Sequence, residues 1–328
     1  MPEHFNAEQI LCDPALCEFD LPLRRRFFPL GYPLDLETNS PDVMEAADEG
    51  WGQFSQAFEE RPVRLALGVT ESDTMPMTLR STFRSREHLM SVVADPENFL
   101  TCDFDRGFAF GWVTRAVAAD HPFLRYRFLT GAANMLIEQW ALAPLHGGLV
   151  VRKGYGLLLC GESFAGKSTL AYACARAGWT LVSDDATFLV RGRGDRYAVG
   201  DPYSIRLRED ARALFPELAD RLPAVRPNGK IAIELFTREL PITIASGCSI
   251  DHVLFLNRQE HGSARLRRYS NIQAFEEWES YACFGADQVR WEQKRCYEKL
   301  FAAGVWELTY SHFGDAVARL ERLVDSGG

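Results

Sequence analysis

The chain contains no C-x-x-C pair. Its eight cysteines, Cys12, Cys17, Cys102, Cys160, Cys174, Cys248, Cys283 and Cys296, are scattered over 328 residues. That scatter argues against a disulfide framework and against a cysteine-rich zinc module. Cys248, His252 and His261 form the best metal-ligating set of this kind, but they lack a fourth ligand at ordinary zinc spacing. Strand and loop residues are the plainer reading. No apolar run reaches the roughly 18–20 residues of a membrane span. Basic residues are also in deficit, 36 Lys and Arg against 45 Asp and Glu, for a net charge of −9. An extended nucleic-acid surface needs the opposite balance. A local run such as Arg24-Arg25-Arg26 reads as a solvated face. Residues 1–6 offer neither a basic region nor an apolar one, so no signal peptide is expected. There is no internal repeat and no low-complexity segment. The expectation is a cytoplasmic protein with neither nucleic acid nor membrane as partner.

What is present is an ordinary globular composition, 47% hydrophobic and 25% charged. The length suits one large α/β domain or two smaller ones. Pro29 and Pro33 break an apolar stretch into short extended pieces around Gly31-Tyr32. Ser40-Pro41 predicts a helix start, continued by Val43, Met44, Ala47, Trp51 and Phe54 on one face. Residues 63–69 predict a strand, 85–94 a short helix, and 99–114 a hairpin about Arg106-Gly107. Residues 128–143 predict a long helix. A soft boundary falls between residues 69 and 99, giving an N-terminal α/β module over 1–95 and a catalytic domain over 96–328. Strands at 305–310 and helices over 272–301 and 314–323 close the chain. Trp278, Tyr281, Phe284, Trp291 and Tyr297 make an aromatic stripe there, of the kind that is more often core than docking surface.

The densest signal lies in the middle. Leu157-Leu158-Leu159-Cys160 is an unbroken apolar run, as for a strand buried on both faces. Gly161-Glu162-Ser163-Phe164-Ala165-Gly166-Lys167-Ser168 follows, and then an amphipathic helix with Leu170 and Ala171 inward. This is G-x-x-x-x-G-K-S in the strand–loop–helix setting that a phosphate-binding loop requires. Its glycines let backbone N–H groups turn toward phosphate oxygens at a helix N-terminus. Lys167 would reach the β- and γ-phosphates, and the Ser168 hydroxyl would reach Mg²⁺. The next strand ends in Asp184-Asp185. At the carboxyl edge of a parallel sheet these carboxylates face the ligand. One would hold Mg²⁺ and one would accept a proton, with neither assigned to its role. His146, in Leu145-His146-Gly147-Gly148, carries little weight alone, since a lone histidine is usually structural.

Taken together, His146-Gly147, the Gly161–Ser168 loop and Leu181-Val182-Ser183-Asp184-Asp185 resemble the catalytic domain of HPr kinase/phosphorylase. The matching block covers roughly residues 143–190. The resemblance implies a nucleotide-binding core of the phosphoenolpyruvate carboxykinase type, extended by the N-terminal module and a helical C-terminal segment. It implies His146, Lys167, Asp184 and Asp185 as catalytic residues, and Ser168 and Asp185 on the metal. Nucleotide contacts would come from Gly161 through Thr169 and from Arg206. ATP and Mg²⁺ are the implied cofactors. The implied reaction is transfer of the γ-phosphoryl group to a hydroxyl on a peptide, protein or small molecule. The alternatives are a nucleotide-dependent switch without transfer, and ATP hydrolysis or phosphorolysis. The resemblance is compatible with a homo-oligomer. Two departures set this chain apart. Thr169 stands where the family carries a glutamate. Ser204 replaces a metal-side glutamate in a strand that keeps Arg206.

Overall fold

The computed structural model describes residues 20–76, 82–192, 196–279, 286–302 and 304–326. Cys12, Cys17, Tyr281, Phe284 and Cys283 lie outside them. Chain contacts divide the protein into two units, Met1–Leu136 and Ile137–Gly328. Residues 96–136, grouped by the sequence reading with the catalytic domain, pair and pack within the first unit.

The first unit is a seven-stranded sheet with helices. Its strands are β1 (Leu23–Phe27), β2 (Leu34–Thr38), β3 (Val63–Thr70), β4 (Thr82–Arg86), β5 (Leu89–Asp95), β6 (Asn98–Asp103) and β7 (Phe108–Thr114), in the order β1-β2-β3-β7-β6-β5-β4. Alternation decides which face is buried. Leu34 and Leu36 on β2, and Leu100 and Cys102 on β6, point inward with Val43, Ala46 and Ala47 of the helix Pro41–Trp51. The helix expected over 85–94 is instead the turn of a hairpin. Glu87 adopts φ +53° between β4 and β5, and Met90 and Val92 are buried at a spacing of two. Period two and β-branched residues outweigh the helical reading there. The long helix expected over 128–143 is a broken helical run that ends at Trp140, and a strand begins at Leu142.

The second unit carries the motifs. Its main sheet comprises β9 (Gly148–Arg152), β10 (Tyr155–Cys160), β11 (Thr180–Ser183), β17 (Thr243–Ile244), β19 (His252–Arg258), β20 (Arg265–Tyr269) and β21 (Val305–Tyr310), ordered β17-β11-β9-β10-β19-β21-β20. β10, β19 and β21 are parallel neighbours. β9 is antiparallel to both β10 and β11 and lies between them. The sheet is therefore mixed rather than purely parallel, yet β10 and β11 still point the same way. Leu157 and Leu159 pack on the helix Lys167–Arg176 and the C-terminal helix Phe313–Asp325. Leu158 and Cys160 pack into a second cluster with Trp278, Tyr297 and Phe301. That division explains the unbroken apolar run. Trp278 and Tyr297 are core, whereas Trp291 is exposed.

Two smaller sheets complete the unit. β8 (Leu142–His146), β12 (Ala186–Val190), β13 (Tyr197–Gly200) and β18 (Gly247–Ser249) form one, in the order β18-β13-β12-β8. β14 (Ser204–Leu207), β16 (Ile231–Phe236) and β15 (Ala224–Val225) form the other. Among the described residues no helix is long and apolar enough to cross a membrane.

Candidate functional site

The sequence motifs meet because of strand pairing. His146 ends β8 and stands opposite Ala186, the first residue of β12. The acidic pair immediately precedes Ala186, so the register carries it to the histidine. His146 Nδ1 lies 3.1 Å from Asp185 Oδ1, and both side chains are close to half exposed. The backbone N–H of Gly147 donates to the Asp185 carbonyl at 3.0 Å, and Thr187 Oγ1 donates to the Gly147 carbonyl at 2.8 Å. A Cβ at Gly147 would sit 2.8 Å from the Leu159 carbonyl oxygen. Glycine is required there because β10 approaches so closely.

The loop after β10 is held open by three left-handed residues, Gly161 (φ +143°), Phe164 (φ +77°) and Gly166 (φ +93°). Glu162, Ser163 and Phe164 form its exposed tip, while Ser168 and Thr169 are half-buried at the start of the helix. Lys167 is buried, and its ammonium donates to the carbonyls of Gly161 (2.7 Å) and Glu162 (3.2 Å). The cation is thus fixed within the loop that surrounds it. Tyr310, at the end of β21, donates its hydroxyl to the Ala165 carbonyl at 2.7 Å. This latch was not visible in the sequence, since 145 residues separate the two groups.

Asp184 and Asp185 have different environments, although the sequence treats them alike. Asp184 is buried and accepts the backbone N–H of Arg206 at 2.9 Å through Oδ2. Burial, with Asp185 adding to it, pushes its pKa up to about 6 against the pull of Arg206 and Arg226. The His146 pKa is lowered by burial and by Lys167 and Lys230, with Asp185 opposing. Burial also lowers the Lys167 pKa, again against the attraction of Asp185. His146, Lys167, Asp184 and Asp185 therefore act in one electrostatic field, together with Arg206, Arg226 and Lys230.

Glu234 is the group that sequence reasoning missed. It stands opposite Arg206 across the β14–β16 ladder. Its Oε1 accepts Arg206 Nε at 3.1 Å and Ser204 Oγ at 2.9 Å. Burial opposes its ionisation, but Arg206 and Ser204 outweigh burial and hold its pKa below the usual carboxylate range. A carboxylate from β16 thus occupies the neighbourhood of Ser204. The weak metal set shows no convergence among the described residues. Cys248 lies on β18, and His252 stacks on Tyr155. Three potential ligands do converge in the first unit, Asp42, Glu45 and His121, within 4.8 Å of one another.

No protein-family model matches the chain. Among curated proteins it is similar to HPr kinase/phosphorylases. That of Mycoplasmopsis pulmonis is 27% identical over 179 residues, 53% of this chain and 52% of that protein. That of an Exiguobacterium species is 31% identical over 140 residues, 41% of this chain and 44% of that protein. That of a Thermoanaerobacter species is 39% identical over 83 residues, 24% and 27% of the two chains. The chain spans about half the length, or less, of these curated relatives. Among solved structures, the HPr(Ser) kinase/phosphatase of Coxiella burnetii aligns with 56% of this chain and 98% of its own, at 14% identity and a TM-score of 0.29. The resemblance read from the motifs holds: over part of its length the chain is similar to HPr kinase/phosphorylases, at the modest identity of a divergent relative.

Proposed function

We propose that this chain is an ATP-dependent kinase that transfers the γ-phosphoryl group to an alcohol, a serine-like hydroxyl on a peptide, protein or small molecule. The observation that carries the reading is the His146–Asp185 pair beside the phosphate loop and its lysine. In this reading the core is of the HPr-kinase type and works in the cytoplasm, and the chain carries a separate N-terminal module besides the catalytic domain.

The triphosphate lies on the loop amides and the N-terminal end of the Lys167–Arg176 helix, with Lys167 on the β- and γ-phosphates. The acceptor oxygen attacks phosphorus in line. One O–P bond forms, the bond from phosphorus to the β-phosphate oxygen breaks, and ADP leaves. The proton passes to the Asp185–His146 pair, which is the exposed end of the site. Loop amides and Lys167 stabilise the charge developing on the phosphoryl oxygens. The donor set nearby, the Ser168 hydroxyl and the two aspartates, is all hard oxygen and suits Mg²⁺. Ser168 and one aspartate of the pair would hold the ion, which supplies charge neutralisation when bound. The curated relatives are also named phosphorylases. In a phosphorolytic step an oxygen of inorganic phosphate would attack the phosphorus of a phosphorylated acceptor, the bond to the acceptor oxygen would break, and pyrophosphate and the free alcohol would leave, with the same groups in use.

Incubating the full chain with γ-labelled ATP and pools of hydroxylated peptides and small alcohols tests the reading. Label on an acceptor, lost in Asp185→Asn, supports it. Nucleotide binding without ADP formation on any acceptor or water would favour a switch without chemistry.

A further inference from the structure

One helix face in the first unit carries more carboxylate than its neighbours compensate. The helix Pro41–Trp51 places Asp42, Glu45 and Glu49 at i, i+3 and i+7, and so along one face. Asp48 on the same helix is paired with Arg25 at 2.6 Å, and Glu49 is paired with Arg125. Asp42 and Glu45 differ. Among the described residues neither forms an ion pair or a side-chain hydrogen bond. The helix dipole favours Asp42 in the first turn, but that support has faded at Glu45, one turn on.

An imidazole joins the face from another segment. His121 opens the helical turn His121–Leu124, and Asp120 caps that turn by accepting the Phe123 N–H at 3.0 Å. One ligand atom each from Asp42, Glu45 and His121 lies within 4.8 Å of the other two. The histidine does not pair with either of those carboxylates. Its partner is Glu49, whose Oε1 lies 2.8 Å from Nδ1. The Arg125 guanidinium holds the second oxygen of Glu49. Glu49 therefore fixes the orientation of the ring and leaves Nε2 to meet a cation. A carboxylate backing a histidine in this way is the usual support of a metal ligand.

We propose that Asp42, Glu45 and His121 bind a transition-metal dication, zinc by preference, with Glu49 as a positioning residue. The imidazole nitrogen selects against Mg²⁺ and Ca²⁺, which take oxygen ligands. One nitrogen and two carboxylate oxygens suit Zn²⁺, whose open sites combine three protein ligands with a water. The ion ties the helix Pro41–Trp51 to the segment at His121. No step of phosphoryl transfer runs through it.

Titration of the full chain with Zn²⁺, after chelator treatment and removal of the chelator, tests the site. One equivalent should bind to the parent. It should also bind to Asp185→Asn, which alters the proposed Mg²⁺ site and none of these ligands. His121→Ala and Glu45→Gln should each lose that equivalent. Glu45 is exposed, so its replacement spares the fold. Glu49→Gln keeps all three ligands and should weaken zinc binding about tenfold. Zinc should raise the unfolding midpoint of the parent and leave that of His121→Ala unmoved. Co²⁺ in place of zinc should give visible absorption bands without the thiolate-to-metal band that binding to the chain's cysteines would produce. No bound zinc in the parent, an undiminished equivalent in His121→Ala or Glu45→Gln, or a thiolate band with Co²⁺ would overturn the site. Unchanged affinity in Glu49→Gln would overturn the positioning role.

Discussion

His146 and Asp185 stand 3.1 Å apart, Nδ1 to Oδ1, although 39 positions separate them in the chain. The β8–β12 register joins them, and the carboxylate opposes the burial that lowers the histidine's pKa. At the pH where the chain would work, His146 is thus a neutral imidazole beside a carboxylate, suited to accept or relay a proton.

His146→Gln should lower turnover roughly 100-fold and leave nucleotide affinity almost unchanged. Two groups would shape the acid limb of the rate profile, His146 titrating below its usual 6.5 and Asp184 at about 6. The limb should be steeper than one proton in the parent and close to one proton in His146→Gln. Turnover measured from pH 5 to 8 checks the slope, and a limb of equal slope in the parent and His146→Gln would contradict it. Asp185→Asn removes the charge that supports the protonated imidazole, so its His146 should titrate at lower pH than in the parent. NMR of the ring against pH checks this without turnover, and an unmoved midpoint would contradict it.

Asp184 gives a stability prediction with a definite sign. Its folded-state pKa, about 6, is raised above the ordinary carboxylate value, so the folded state favours the protonated form. That stabilisation is complete below the unfolded pKa and is lost as the pH rises through 6. Raising the carboxyl from its ordinary value to about 6 corresponds to about 3 kcal/mol. Asp184→Asn should therefore be more stable than the parent at pH 8, by up to about 3 kcal/mol, and equal to it near pH 3. Denaturant titrations at both pH values check this. A variant less stable at pH 8 would show that the charge is better compensated than its surroundings indicate.

Glu234 is expected to position Arg206 rather than to react. Removing it leaves a half-buried guanidinium without its Nε acceptor and Ser204 without its own. Because the pair is about one-third exposed, Glu234→Ala should cost only about 1–2 kcal/mol. Arg206 also donates its backbone N–H to Asp184, so turnover should fall as well, with Glu234→Gln restoring much of the loss. Equal losses in Gln and Ala variants would point to the charge itself.

Binding and chemistry should separate along the loop. Lys167→Ala should weaken nucleotide binding by about 100-fold, since in the proposed reading it removes the cation that meets the phosphates. Tyr310→Phe removes one hydrogen bond to the Ala165 carbonyl, worth about 1 kcal/mol, and should weaken binding about fivefold. A Tyr310→Phe chain that binds as tightly as the parent would show that the loop keeps its shape without the latch.

Local rules carry far in this chain. The β10–loop–helix unit is legible because each part has its own signal: an apolar run, glycines where φ is positive, and a lysine after the last of them. His146 is legible only through resemblance, for nothing local distinguishes it from a structural histidine. Glu234 and Tyr310 leave no sequence trace, because a strand ladder and a parallel crossover bring them to the site. The hairpin at 82–95 is misread because β4 is exposed along its length, and a polar segment carries no period to recognise.

The central claim is that the groups around His146, Lys167 and Asp185 move a phosphoryl group from ATP to an alcohol. Label from γ-labelled ATP should appear on a hydroxyl-bearing acceptor as ADP accumulates in equal amount. Asp185→Asn should abolish that transfer while still binding nucleotide. Undiminished transfer in Asp185→Asn, or tight nucleotide binding by the parent with no label transferred to any acceptor, would contradict the account.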